Sequence, residues 1–382
     1  MGIGKGGTTL WAHLNGAERI MKLKEISYVI SLNAGDRTRI ALDTAYIKEA
    51  CFSVIWSNVV GTNGEKKKQG DISNLNKEYL IRETRKLLIA KHKIFIENRM
   101  IPIWCMDGDK DKDKLATNKR MEKCETPLIS VISSYMKAKK ISKDGSESRK
   151  RIEKFKYIEE AYYTVSDKFT EDTIKIGERD TFENCYNEIC NFLPMVKIKC
   201  KGFDNIIYEV FNDEIFRNSV IRIPSISEGE KLASILTQIG FCEAVHANDS
   251  DCVIFGAKNV FFKKRTNKNS NPMYDNDLPE NKNDPWYSFY NYQDILKIMG
   301  LNPNEMIYLA IRMGTDFNDK VLYDSFYDIV KEIKEKTNPD IFDFNKAKCG
   351  RLNPDICIKV FSITSEIKQM VKDEVKKQLM IN

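Results

Sequence analysis

An α/β fold with a mainly parallel sheet flanked by helices follows from two features of this 382-residue sequence. Short apolar runs, each ending in an aspartate, recur at widely separated points, as buried strands that deliver an acid at their C-terminal end. Between them lie stretches with helical spacing, the alternation that builds parallel sheets. The acids would then meet along the C-terminal edge of the sheet, where open α/β folds bind ligands.

Residues 39–43 (Arg-Ile-Ala-Leu-Asp) predict the first such strand, ending at Asp43. From 76 to 98 the apolar residues Leu80, Leu87, Leu88, Ile94 and Phe95 keep helical spacing, leading into a strand over 101–107 that ends at Asp107. Residues 110–120 and 137–156 are basic and mostly helical, interrupted near 142–148. Pro224 and the serines beside it precede a helix running to about Ile239, with Glu228 and Glu230 at its start, where acids suit the helix dipole. Residues 244–249 predict a strand carrying Asp249 and, just beyond, Asp251. A long polar loop over 266–288 leads to a helix near 292–299, and residues 308–316 form a strand or a helix ending at Asp316. From Asn353 onward charged and apolar residues alternate as an amphipathic helix, for which packing on the core is the default.

Seven acids therefore read as one site: Asp43, Asp107, Glu228, Glu230, Asp249, Asp251 and Asp316. So many carboxylates cannot share a pocket ionised without cations, because each raises the others' pKa. All-oxygen ligation favours Mg2+, with Mn2+ as a substitute, and His13, His92 and His246 are too few and too scattered to build a zinc centre. Two such ions about 4 Å apart would activate water and stabilise the leaving oxygen of a phosphodiester, making the chain an enzyme, a nuclease.

At these residues the chain resembles the flap endonuclease family, also called the XPG or RAD2 family. The resemblance is carried in order by Met1-Gly2-Ile3-Gly4, Ile40-Ala41-Leu42-Asp43-Thr44-Ala45, Met106-Asp107-Gly108, Ser227-Glu228-Gly229-Glu230, the block Asn248 to Gly256, and Met313-Gly314-Thr315-Asp316-Phe317. Glu230 and Asp249 stand 19 residues apart, as in the family. The likeness covers roughly 1–120 and 220–320.

The resemblance implies a PIN-like nuclease core with a helical arch and a helical C-terminal part. It implies two Mg2+ ions per chain, one held by Asp43, Asp107, Glu228 and Glu230 and the other by Asp249, Asp251 and Asp316. Arg120 and Lys114 would steer the scissile phosphate, and Gly2, Lys119 and Arg120 would contact DNA. The substrate would be branched or flapped DNA cut in replication, repair or recombination. The family's Gly-x-Gly segment after the last Asp is replaced here by residues 317–323 without glycine, Glu49 stands where a stacking aromatic is expected with Tyr46 nearby, and the span from Asp107 to Glu228 is long.

Composition supports an ordered chain: 42% hydrophobic, 30% charged, net charge +6. The positive excess is local, since residues 109–156 hold 15 Lys and Arg against 8 Asp and Glu, a pattern suited to salt-sensitive phosphate contacts or to a charged loop. Four regions are expected: 1–108 and 224–330 as the two halves of the core, 109–223 as a basic arch with an insertion, and 331–382 as a tail. No run is long enough to span a bilayer, so no membrane partner is expected; the ten cysteines lack a C-x-x-C pair and read as reduced thiols. The glycines at 2, 4 and 7 have no preceding strand, so no nucleotide cofactor is expected, and Gln369 and Gln378 lack the aromatic pair of a sliding-clamp peptide. The expected compartment is intracellular, the nucleus or, for a viral copy, the host nucleus or viral replication site; 149–151 is a short basic cluster of the nuclear-import type. Two alternatives stay open: a 5'-to-3' exoribonuclease of the PIN-like group, and a catalytically weak DNA-binding scaffold.

Overall fold

The computed structural model describes residues 10–32, 38–60, 77–109, 129–156, 158, 174–192, 203–264, 285–315, 325–335 and 354–379. Two compact units divide the chain: Met1–Ile47, Ala90–Thr117 and Phe216–Asn382 in the first, Lys48–Ile89 and Asn118–Ile215 in the second.

The first unit is built on a seven-stranded sheet. Its strands are β1 (Arg19–Lys22), β2 (Arg39–Asp43), β3 (Ile101–Met106), β4 (Val220–Arg222), β5 (Ala244–His246), β6 (Asn259–Lys263) and β7 (Trp286–Asn291). The order is β1-β7-β6-β5-β2-β3-β4. The strands from β6 to β4 pair in parallel, while β7 runs antiparallel to both β6 and β1. From β2 the chain moves outward through β3 to β4, then returns to β5 on the other side of β2. The strand order reverses between β2 and β5, which is the crevice where open α/β sheets bind ligands.

The three acid-delivering strands expected at 39–43, 101–107 and 244–249 form at the centre of this sheet, although β5 stops at His246 and Asp249 follows in a loop. Pro102 sits in β3 without disturbing it, for a geometric reason. Trp104 donates its N–H toward Ser219, on the β4 side, and Pro102 has the same parity. β4 begins only opposite Trp104, so the missing N–H of Pro102 falls where no partner waits.

Helices α1 (Leu10–His13), α2 (Leu23–Ser31), α3 (Thr44–Val60) and α4 (Lys77–Glu97) precede β3. After it come α5 (129–141), α6 (Glu147–Glu153), α7 (Phe182–Phe192) and α8 (Phe203–Phe211). Then follow α9 (Gly229–Gln238), α10 (Asp251–Ile254), α11 (Tyr292–Met299), α12 (Pro303–Met313), α13 (Phe326–Glu335), α14 (Pro354–Phe361) and α15 (Ser365–Leu379). The helices expected at 76–98, from about Glu228 to Ile239 and at 292–299 are α4, α9 and α11, with Glu228 standing just before α9. The run that read as strand or helix near 308–316 is helical: Asn302 caps α12 by accepting from the amides of Asn304 and Glu305, while Glu305 answers on Asn302 and Pro303 opens the first turn. The expected polar loop gives way to β7 at Trp286, and its residues 266–284 lie outside the described residues. The C-terminal amphipathic segment forms two helices, α14 and α15, and Phe361, Val371, Val375 and Leu379 join the same core as Leu232, Val245 and Val253.

The histidines are structural. His246 is buried with Nδ1 3.2 Å from the carbonyl of Phe261, and the ring of His13 stacks on Phe326 at 3.9 Å. His92 Nδ1 accepts the indole N–H of Trp104 at 3.2 Å. Burial lowers the His92 pKa, so the folded protein resists a proton that the unfolded chain takes up near the ordinary histidine value. This contribution to stability is complete above that value and is lost as pH falls below it, by at most about 1.4 kcal/mol per pH unit. Urea midpoints measured from pH 7.5 to 5.5 should fall, and His92→Gln should flatten the decline.

In the second unit, surface ion pairs join Lys77 to Glu209 and Arg85 to Asp213, and Lys137 to Asp180 at 2.9 Å. Arg151 forks onto Glu183 and lies 4.1 Å from the Tyr186 ring centre. The break in the basic segment is a turn around Gly145 from which Ser146 caps α6 through the amide of Arg149. Among the described residues no helix is long and apolar enough to cross a membrane, and the described cysteines are free thiols.

Candidate metal centre

Each acid arrives on a different element. Asp43 ends β2 and is buried, its Oδ1 accepting the amide of Ala45 at 3.0 Å. Asp107 follows β3. Glu228 is the residue before α9 and Glu230 lies in its first turn. Asp249 sits in the loop after β5, and the buried Asp251 opens α10.

The Glu-Gly-Glu segment brings these groups together through its glycine. The Gly229 amide, one of the donors that a helix start leaves without an internal partner, gives its hydrogen to Asp107 Oδ1 at 2.9 Å. A methyl group on Gly229 would stand 3.1 Å from Asp43 Oδ1 and 3.3 Å from Asp107 Oδ1, but only 2.7 Å from the Cys105 carbonyl. Glycine is needed here because β2 and β3 press their acids against the backbone of α9.

On the other side, Glu230, Asp249 and Asp251 each offer a carboxylate oxygen, all within 4.8 Å of one another. Burial, reinforced by Asp249, Asp43, Asp251 and Glu228, pushes the Glu230 carboxyl well above its ordinary range. Burial first, and then the carboxylates of Glu230, Asp43, Asp249 and Asp251, raise the thiol of Cys252, which is carried on α10. A hard dication would offset this mutual repulsion, and an all-carboxylate donor set of this span suits Mg2+ or Mn2+.

Six of the seven acids read from the sequence lie at this one edge of the sheet. Asp316 lies outside the described residues, as do Gly2, Lys114, Lys119 and Arg120, and the side chains of Tyr46 and Glu49 are also outside them.

Two further supports had little mark in the sequence: Gly108 had none beyond its motif, and Trp11 lay in no motif. Gly108 closes the site from below: its amide donates to Ile226 at 3.0 Å, the next amide, of Asp109, donates to Pro224 at 2.9 Å, and a methyl group would meet the carbonyls of Ile226, Ile223 and Pro224 at 2.3, 2.5 and 2.6 Å. Trp11 holds the loop of Asp249, its indole N–H donating to the Asn248 carbonyl at 3.2 Å while the ring packs on Phe262 and Tyr290.

Residues 220–316, which hold β4, the Glu-Gly-Glu helix and the Asp249/Asp251 loop, match the XPG I-region family model. Flap endonuclease 1 of Methanobrevibacter smithii is 30% identical over 97 residues, 25% of this chain and 25% of that protein. The DNA repair protein RAD2 of Saccharomyces cerevisiae is 26% identical over 157 residues, 40% of this chain and 14% of that protein. These matches span a quarter or less of the relatives' length. Flap endonuclease-1 from Methanococcus jannaschii aligns over 95% of this chain and 94% of that one, at 17% identity and a TM-score of 0.46.

Proposed function

We propose, for a chain that carries the I-region of the XPG family, that it is a structure-specific DNA endonuclease requiring Mg2+. The observation that carries this reading is the convergence of Glu230, Asp249 and Asp251 within 4.8 Å, with Asp43 and Asp107 against the adjoining Gly229. Bound there, two hard dications would supply Lewis-acid chemistry for in-line displacement at a phosphodiester. Asp249 and Asp251, with Asp316, would hold one ion, and Asp43, Asp107 and Glu230 the other. Glu228, buried beside them, completes the set.

The substrate in this reading is a single-strand/double-strand junction, a 5' flap above all, as the names of the flap endonuclease relatives suggest. The basic stretch within 109–156 would form the arch, with Lys114 and Arg120 steering the scissile phosphate, Lys119 contacting DNA by sequence-independent charge and Gly2 by close approach of its bare backbone. The setting would be DNA replication, repair or recombination, in the nucleus or at a viral replication site.

The test is cleavage of end-labelled 5'-flap DNA with Mg2+ or EDTA, beside single-stranded RNA and blunt duplex. Cutting at the flap base that EDTA stops is the expected outcome. Degradation of RNA alone would move the chain to the exoribonucleases, and binding without cutting would make it a scaffold.

A further inference from the structure

Among the described residues β4 is the last strand of the sheet, paired with β3, and the N–H and C=O of Arg222 face its outer side. The side-chain amide of Gln378, in the final turn of α15, fills both. Its Oε1 accepts the Arg222 N–H at 3.2 Å, and its Nε2 donates to the Arg222 carbonyl at 2.7 Å and to Glu374 at 3.1 Å. One carboxamide thus reproduces the pairing that a neighbouring strand would make, and closes a sheet edge.

The clamped residue reaches the metal centre. Arg222 Nε donates to the main-chain carbonyl of Asp107 at 3.2 Å, and Nη2 meets the Asp109 carboxylate at 3.0 Å, so the guanidinium ties to the backbone before Gly108 and to a side chain after it. Asp107 in turn binds the first amide of α9 through its carboxylate. The Arg222–Asp109 ion pair is largely exposed and contributes little by itself. The bond to the Asp107 carbonyl has a different consequence, because it sets the direction in which that carboxylate leaves the strand. A second tie runs parallel to it: Lys231, next to Glu230, donates to the carbonyl of Val360 in α14.

We propose that Arg222 is a positioning residue for the metal centre and that Gln378 holds it in place, so that the C-terminal helix bears on the cation affinity of the site through Arg222. The proposal rests on the metal-site reading above, but not on the identity of the substrate. Partners that orient metal ligands change affinity by about 10-fold or more when lost.

The test is Mn2+ binding by calorimetry on the whole chain, with thermal melting alongside. Arg222→Leu should weaken Mn2+ about 10-fold and Gln378→Leu, one link further away, roughly 3-fold, with Arg222→Lys intermediate. A purely structural role would lower the melting temperature and leave Mn2+ affinity unchanged well below it. Less than a twofold change in both leucine variants overturns the proposal, and if Arg222→Leu does not fold, Gln378→Leu decides. Should the wild type bind Mn2+ yet cut no flap DNA, the endonuclease reading fails while the positioning role is still judged on affinity. A wild type that binds no Mn2+ overturns both.

Discussion

Asp251→Ala should reduce flap cutting by about a thousand-fold or more, a loss of about 4 kcal/mol of transition-state stabilisation, while junction DNA binds as well as before or better. The side chain is buried at the head of α10 and supplies one of the three closely spaced carboxylates, so no neighbouring acid can take its place. Its removal also takes a negative charge away from the approach of a phosphate. Because Asp251 is one of the carboxylates that push the Glu230 carboxyl up, its removal relieves repulsion, and the variant should melt no lower than the wild type. Loss of activity without loss of stability marks a functional acid. Single-turnover cleavage, binding titration and thermal melting on one preparation would separate these effects, and unimpaired cutting would remove Asp251 from the site.

Gly108→Ala should destabilise the protein by about 3 kcal/mol or more, among the largest effects available to a single added methyl group. The three atoms it would meet at 2.3 to 2.6 Å are main-chain carbonyls of residues 223–226, which cannot swing away as a side-chain end could. Relief would require separating the loop after β3 from the segment that leads into α9, breaking the bonds from Gly108 to Ile226 and from Asp109 to Pro224. That same separation would carry Asp107 away from the Gly229 amide, so the variant should also lose affinity for Mn2+ under conditions where it stays folded. A chemical denaturation midpoint equal to that of the wild type would contradict the packing described here.

The centre of the sheet was legible because β2, β3 and β5 are buried on both faces, and an uninterrupted apolar run closed by an acid is how such strands read. The outer strands were not. β1 is an edge strand of Arg-Ile-Met-Lys with two exposed residues, and β4 is three residues long, so neither has room for a pattern. The segment of α12 was ambiguous because a short apolar run fits either period. The deciding signal lay just upstream, in Asn302, Pro303 and Glu305, a capping box with proline in the first turn. At the site, residue type and order were enough to nominate the acids. Arg222 and Gln378 had no comparable mark, since 156 residues separate them and their meeting is decided by where α15 packs.

β2 lies between β3 and β5, and its partnership with β5 joins Ile40 to Ala244. Some 200 residues must therefore be gathered before that pairing forms, at an entropic cost that rises with the logarithm of the enclosed length. Contacts so remote in sequence slow folding. Asp43 and Asp107 can meet on the early β2–β3 pair, but Glu230, Asp249 and Asp251 join them only when this last closure is made. In a stopped-flow experiment the Mn2+ signal of the proposed site should therefore appear with the slowest refolding phase, after most of the helical signal has returned.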